Sequence, residues 1–240
     1  MRLGSSFSYV CKVLCAALIC AAMDIRATAA DKPSQIVTMS LCTDQIVLLL
    51  ADPERVASVH WLTQDPHESA LWEWARHHAG NHGLPEEIIR LEPDLVIGGS
   101  YNSPFTLEAL RRSGIDVLIV EDAIDFEGVR RNIRLIASAL QEAARGESLV
   151  ESFDQALDRS RRALKDRKLR GLVYGSGGYS AGRPSLFDEV LTHLGIKNIA
   201  LAGASGSWVR MGLEDLVRTR PDIVFLGHYR PESPSLAGTL

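Results

Sequence analysis

The pentapeptide GYSAG, residues 178–182, has the G-x-S-x-G form of a nucleophile elbow, in which Ser180 would attack an ester and His193 or His228 would take its proton. An elbow needs that Ser on a tight turn running straight from strand into helix. Here GSG loosens the entry and Pro184 delays the exit, so a secreted α/β serine hydrolase stands only as an alternative. Three histidines, His77, His78 and His82 in ARHHAGNHG, invite a bare metal ion. No carboxylate or Cys completes that set at helical spacing, and a solvated loop is the competing reading. Cys42 stands where a helix is expected to start, a position that lowers a thiol pKa, and it is open to ligating a metal, facing a cleft or being inert. Finally, two carboxylates recur. LPEEIIRLEPDLVI (84–97) and GLEDLVRTRPDIVF (212–225) each place a Glu, Glu86 or Glu214, seven residues before a Pro-Asp pair. An acid in the first turn of a helix is favoured by about a few tenths of a kcal/mol, which alone would account for them.

These residues must be positioned by elements that the apolar pattern supplies. Strands are expected at 35–40, 55–60, 94–100 and 116–121, with helices at 43–52, 86–92 and 105–114 between them. Phe126, Val129, Ile133, Ile136 and Leu140 then mark one helix with a single apolar stripe, roughly 25 Å long, followed by a second helix at 148–166. The rhythm resumes with strands at 170–177, 197–200 and 222–227 and helices at 185–195 and 213–220. Helices alternating with strands at this spacing imply mostly parallel sheets. The second half copies the first: SLCTDQIVLLLADPERVA (40–57) is matched by SLFDEVLTHLGIKNIA (185–200), with Asp44 opposite Asp188. The fold class is therefore α/β, two Rossmann-like lobes with parallel sheets joined by a long interdomain helix. The divisions are 31–124, a helical connector at 125–168, and 169–240.

The first 30 residues stand apart. Arg2 and Lys12 precede the apolar run VLCAALICAAM, and ATAA ends at Ala30, which is the pattern of an export signal cleaved near Ala29 or Ala30. Eleven apolar residues fall well short of the roughly 20 needed to cross a bilayer. Cys11, Cys15 and Cys20 leave with the signal, so Cys42 is left without a disulfide partner. Removing Arg2, Lys12, Arg26 and Asp24 takes the formal net charge from −4 to −6. A mildly acidic exported chain argues against nucleic acid and offers no polybasic face for lipid.

Ligands of open α/β sheets sit beyond the carboxyl ends of the strands. Those ends are expected at Ser40–Thr43, His60–Trp61 and Gly99–Asn102 in the first lobe, and at Gly175–Tyr179, Ser207–Trp208 and His228–Arg230 in the second. The chain is only 6% aromatic, yet Trp61, Tyr101, Tyr179, Trp208 and Tyr229 all fall there. That bias suits a large, flat, partly apolar ligand, with Arg230 available to an anionic group.

IVTMSLCTDQIVLLLADPERV, LPEEIIRLEPDLVIGG, LRRSGIDVLIVEDAIDFEGVRRNI, SLFDEVLTHLGIKNIA and SWVRMGLEDLVRTRPDIVFLG together resemble, in order and spacing, the periplasmic substrate-binding proteins of ABC importers. The resemblance is to their rigid-helix class, which serves iron–siderophores, haem and cobalamin. It implies a periplasmic, monomeric, non-enzymatic protein without cofactor. Such a protein holds a metal chelate or corrinoid between its lobes and delivers it to a permease and its ATPase at the inner membrane. It also implies that Glu86 and Glu214 dock on that permease, one per lobe. The family continues beyond DIVFLGHYRPESPSLAGTL with further helix and strand, so the second lobe is expected to be truncated at Leu240.

Overall fold

The computed structural model describes residues 32–163, 168–200 and 206–226, and the described chain from Pro33 onward forms one compact unit. The expected signal at 1–30 and the candidates His228, Tyr229 and Arg230 lie outside the described residues.

The first half is a five-stranded, all-parallel sheet in the order β3-β2-β1-β4-β5. Its strands are β1 (Ile36–Thr38), β2 (Val56–His60), β3 (Ala79–Asn81), β4 (Leu95–Gly99) and β5 (Val117–Val120). The helices are α1 (Leu41–Leu50), α2 (Trp72–Ala75), α3 (Pro85–Ile89) and α4 (Pro104–Arg112). β1 and β4 are buried throughout, as their unbroken apolar runs require, because helices cover both faces. Successive strand residues point to opposite faces. Ile36 accordingly packs with Val47, Leu50 and Val59 on one side, and Val37 packs with Ile88, Val96 and Leu110 on the other.

Two helices follow, α5 (Phe126–Ala139) and the 21-residue α6 (Ala143–Ala163). Asp125 caps α5 by accepting the Gly128 N–H at 2.6 Å. The apolar stripe was expected to carry α5 across between lobes. Ile136 and Leu140 of that stripe pack in the core of the first half while Phe126 at its start meets His193 of the second, and the longer α6, about 31 Å at 1.5 Å per residue, packs beside it. The two helices pack closely because Gly146 has no side chain: a Cβ there would stand 2.4 Å from that of Ala137. Arg130–Asp154 (2.6 Å) and Arg134–Glu147 (2.8 Å) brace them.

The second half contains β6 (Leu169–Tyr174), β7 (Tyr179–Arg183), α7 (Leu186–His193), β8 (Ile196–Asn198), β9 (Gly206–Arg210), α8 (Leu213–Thr219) and β10 (Ile223–Leu226). The parallel order β10-β6-β8 repeats β4-β1-β2, so the internal duplication is topological as well as sequential. β7 and β9 form a separate antiparallel ribbon that sequence periodicity missed. The two halves meet where the His193 ring lies edge-on to Phe126 at 5.3 Å and its Nε2 donates to the Leu157 carbonyl at 2.8 Å.

Candidate functional site

The duplicated helices α1 and α7 are each held at the start by a serine. Ser40 caps α1 by accepting the Thr43 N–H at 3.4 Å, and Ser185 caps α7 by accepting the Asp188 N–H at 3.1 Å. One turn in, the duplicated acids each reach the end of the next strand. Asp44 accepts the His60 N–H at 2.8 Å and the Thr63 hydroxyl. Asp188 accepts Asn198 Nδ2 at 2.9 Å and Arg183 Nε at 2.8 Å. Asp44 is fully buried and its Oδ1 has no hydrogen-bond partner, so desolvation pushes its pKa up to about 7. The Thr38 side chain and Ser40 backbone favour the ionised form without a bond of full geometry to Oδ1, and they offset that burial only in part.

By pinning the end of β2, Asp44 orients His60 and Trp61. Trp61 contacts two imidazoles, 6.0 Å from the His60 ring and stacked 5.8 Å from His82. Burial, and then the charge of His82, lowers the His60 pKa and keeps its ring neutral. Its Nδ1 accepts the Leu62 N–H at 3.4 Å, which puts the ring proton on Nε2. His82 in turn is clamped to α3: its N–H donates to Glu87 at 2.7 Å and its Nδ1 lies 3.1 Å from the same carboxylate.

At the end of β4, Asn102 bridges the loop to β1, accepting the Gly99 N–H at 2.7 Å and donating to the Met39 carbonyl at 3.0 Å. Gly98 is required there, since a Cβ would meet the Asn102 amide oxygen at 2.7 Å. The loop so held presents Tyr101, which is 88% exposed. Cys42 is exposed as well, but its thiol pKa is raised by the surrounding protein, then by Asp122, then by Asp44. The lowering expected at a helix start is outweighed, first by burial and then by the two carboxylates.

In the second half the ribbon does the presenting. Tyr179 stands opposite Arg210, and Ala181 opposite Trp208. These four share one face, because side chains alternate along a strand. Tyr179 (48% exposed), Trp208 (66%) and Arg210 are open to solvent. Arg210, which sequence reading passed over in favour of Arg230, has no ion pair among the described residues. Its signal was the alternation S-W-V-R beside two aromatics. The opposite face carries Ser180, Val209 and, beyond the strand, Met211, all buried.

That placement removes the hydrolase. Ser180 is fully buried within β7 and donates to the Val173 carbonyl at 2.6 Å, and no helix follows it directly. The histidine cluster does not converge either: His77 is exposed, His78 Nδ1 lies 3.0 Å from the Val56 carbonyl, and His82 serves Glu87. Among the described residues no group of three or more His, Cys, Asp or Glu is placed to hold a metal ion. A surface pocket of about 1200 Å³ lies elsewhere, between the end of α1, Trp74 and α6, and includes none of the predicted cleft residues. The pocket is lined by Trp74, His77 and His78, whereas the ring contacts at the strand ends are those of Trp61 with His60 and His82. Glu86 and Glu214 are exposed and make no bond among the described residues.

The comparisons bear on the fold and the family. The chain is 29% identical over 149 residues to the uncharacterized ABC transporter substrate-binding lipoprotein YvrC of Bacillus subtilis (strain 168), an alignment covering 58% of this chain. The match spans about half, 47%, of that relative. Among solved structures, a possible iron-binding (periplasmic solute-binding) protein from Staphylococcus epidermidis superposes with a TM-score of 0.70 at 18% identity, covering 83% of this chain and 79% of that one. The periplasmic heme-binding protein RhuT from Roseiflexus sp. RS-1 gives 0.69 at 22%, covering 80% and 76%. The periplasmic vitamin B12 binding protein BtuF of Vibrio cholerae gives 0.66 at 18%, covering 82% and 78%. At these identities the superpositions speak for the fold. The sequence model described as periplasmic binding protein matches residues 36–233, nearly the whole chain after the first 35 residues, and the chain therefore belongs to the periplasmic binding protein family.

Proposed function

We propose that this chain is the substrate-binding component of an ABC importer, exported through its first 30 residues, that takes a haem-like ring, a ferric siderophore or a corrinoid between its halves. The observation that carries the reading is the set of aromatics held outward at the strand ends. Trp61 contacts two imidazoles, Tyr101 is displayed on its bridged loop, and Tyr179 and Trp208 share one ribbon face. Flat apolar rings with polar edges match such a lining better than sugars or free ions do. Arg210, flanked by Tyr179 and Trp208, pairs with an anionic substituent of the ligand. The names of the structurally similar haem and vitamin B12 proteins support the same ligand class.

Chemically the site binds and does not react. Burial of ring faces supplies affinity, the neutral His60 offers a polar edge, and Arg210 selects for negative charge. Glu86 and Glu214, one on each half, dock the loaded monomer on the permease, where paired surface charges set register and encounter rate. The test is tryptophan fluorescence titration with hemin, cyanocobalamin and several ferric siderophores. One of these quenches the signal saturably, and Trp61→Phe with Trp208→Phe removes most of that response. No saturable change with any of them overturns the reading.

A further inference from the structure

A buried asparagine closes a strand in each half, Asn81 at the end of β3 with 1% exposure and Asn198 at the end of β8 with 5%. Their side chains are used alike. Asn81 Oδ1 accepts the N–H of Gly83, two residues on, at 3.1 Å, and Asn198 Oδ1 accepts that of Ala200, also two residues on, at 3.0 Å. Each closes an Asx turn about the residue that follows it. The amide nitrogen reaches away from that turn to other strands. Asn81 Nδ2 donates at 2.9 Å to the Thr38 carbonyl at the end of β1 and at 2.8 Å to the Ser58 hydroxyl on β2. Asn198 Nδ2 donates at 3.2 Å to the Ala181 carbonyl on β7, besides its bond to Asp188. An N–H faces each oxygen and acceptors face each nitrogen, so one orientation of each amide satisfies its partners.

Backbone pairing joins β3 to the sheet through β2, and joins β7 to β9. The side chain of Asn81 adds a tie from β3 across to β1. That of Asn198 adds a tie from β8 to β7, together with Arg183, which donates to the Asn198 carbonyl at 2.9 Å. Both ties end on a piece that presents a ring. The residue inside the first turn is His82, stacked on Trp61, and the strand held by the second carries Tyr179 and lies opposite Trp208. A buried hydrogen bond contributes only about 1 kcal/mol net to stability. What a buried polar group adds beyond that is direction, because only one arrangement satisfies it.

We propose that Asn81 and Asn198 are positioning residues of the cleft, the first setting His82 against Trp61 and the second setting the ribbon that carries Tyr179 and Trp208. The two ring-bearing walls are thereby fixed before a ligand arrives, and side chains that do not touch the ligand govern its affinity. This rests on the ring-lined cleft of the proposed function and assigns what holds its rings in place.

The test uses the ligand-free full chain with one of its four tryptophans kept at a time. W72F/W74F/W208F leaves Trp61, W61F/W72F/W74F leaves Trp208, and time-resolved fluorescence anisotropy reads the local motion of each. N81A is expected to raise the amplitude of that motion at Trp61 at least about twofold and leave Trp208 unchanged, and N198A to do the reverse. N81S and N198S keep an oxygen for the turn but are too short to reach the other strand, and they carry the same comparison where an alanine variant does not fold. With all tryptophans present, each variant is then titrated with whichever of hemin, cyanocobalamin and the ferric siderophores quenches the wild type. N81A and N198A are each expected to weaken that binding at least about fivefold. The control for lost stability is Leu110→Ala, a core truncation on α4, which stays within about twofold of wild type. Unchanged motion at both tryptophans, or a binding loss no greater than that of Leu110→Ala, makes the asparagines structural only and overturns the proposal. If no ligand quenches the wild type, the function reading fails by itself, and the anisotropy alone upholds or overturns the positioning.

Discussion

In the first half two residues, Met39 and Ser40, separate the central strand from its helix, whereas in the second half residues 175–185 intervene between β6 and α7 and fold into β7. β9 is likewise placed between β8 and α8, where the first half has α2 and β3. On one shared plan, the first half therefore shows its candidate ligand groups on loops at strand ends, and the second shows them on a ribbon. The duplicated acids differ in the same direction. Asp44 is buried and relies on one amide and one hydroxyl, while Asp188 is partly exposed and is met by an arginine and an asparagine. At this duplicated acid the first half buries its polar connection and the second half leaves it partly open.

The sharpest break of that contrast is at the arginines beside the central strands. Arg55 is buried, bonds Glu142 at 2.6 Å and donates to the Pro33 and Leu140 carbonyls, so Arg55→Leu takes the nearest cation from a buried carboxylate, which keeps Arg145 at 3.8 Å, and costs about 3 kcal/mol. Arg170, exposed and donating to the Thr219 and Arg220 carbonyls, costs under about 1 kcal/mol in Arg170→Leu. Urea unfolding with equal slopes checks the pair. Next in size, Asp44→Ala leaves a buried amide and hydroxyl unpaired and costs about 2 kcal/mol, against about 1 for Asp188→Ala. Equal losses would mean that the burial difference carries no energetic weight.

Stability against pH sharpens the same point. The folded-state pKa of Asp44, about 7, lies above an unfolded value of about 3.9. Between these values the folded protein holds the extra proton, so this group's contribution falls as pH rises from about 4 to about 7. Asp44→Asn keeps an acceptor and removes the titration. It should flatten the profile between about pH 4 and about pH 7. The smallest effect is at the junction. His193→Ala removes the Leu157 bond and the Phe126 contact, and should cost about 1 kcal/mol, with hydrogen exchange rising in α6 and α7 and not in β1 or β4.

Much of the fold was legible because its strands are short apolar runs stopped by helices of clear period, and because Pro93-Asp94 and Pro221-Asp222 repeat one sentence. β3, β7 and β9 were not. Ala79-Gly80-Asn81 has no apolar alternation at all, and β7 and β9 are defined by pairing with each other rather than by any run of their own. Ser180 matches an elbow only in letters: the loose entry at GSG and the delayed exit at Pro184 argued against one, and its neighbours make a strand. The stripe of α5 was read correctly as apolar, but a stripe does not name its partner.

The sequence by itself determined the alternation of helix and strand, the duplication, and which residues fall near strand ends, since each depends on local period and spacing. Tertiary structure alone decided that Trp61 is stacked against His82, that Arg210 joins Tyr179 and Trp208, that burial raises the Cys42 thiol pKa, and that Asp44 is buried with one oxygen unmatched. Those outcomes depend on which distant groups remove water or supply charge. That is a property of the packed chain and not of any stretch of it.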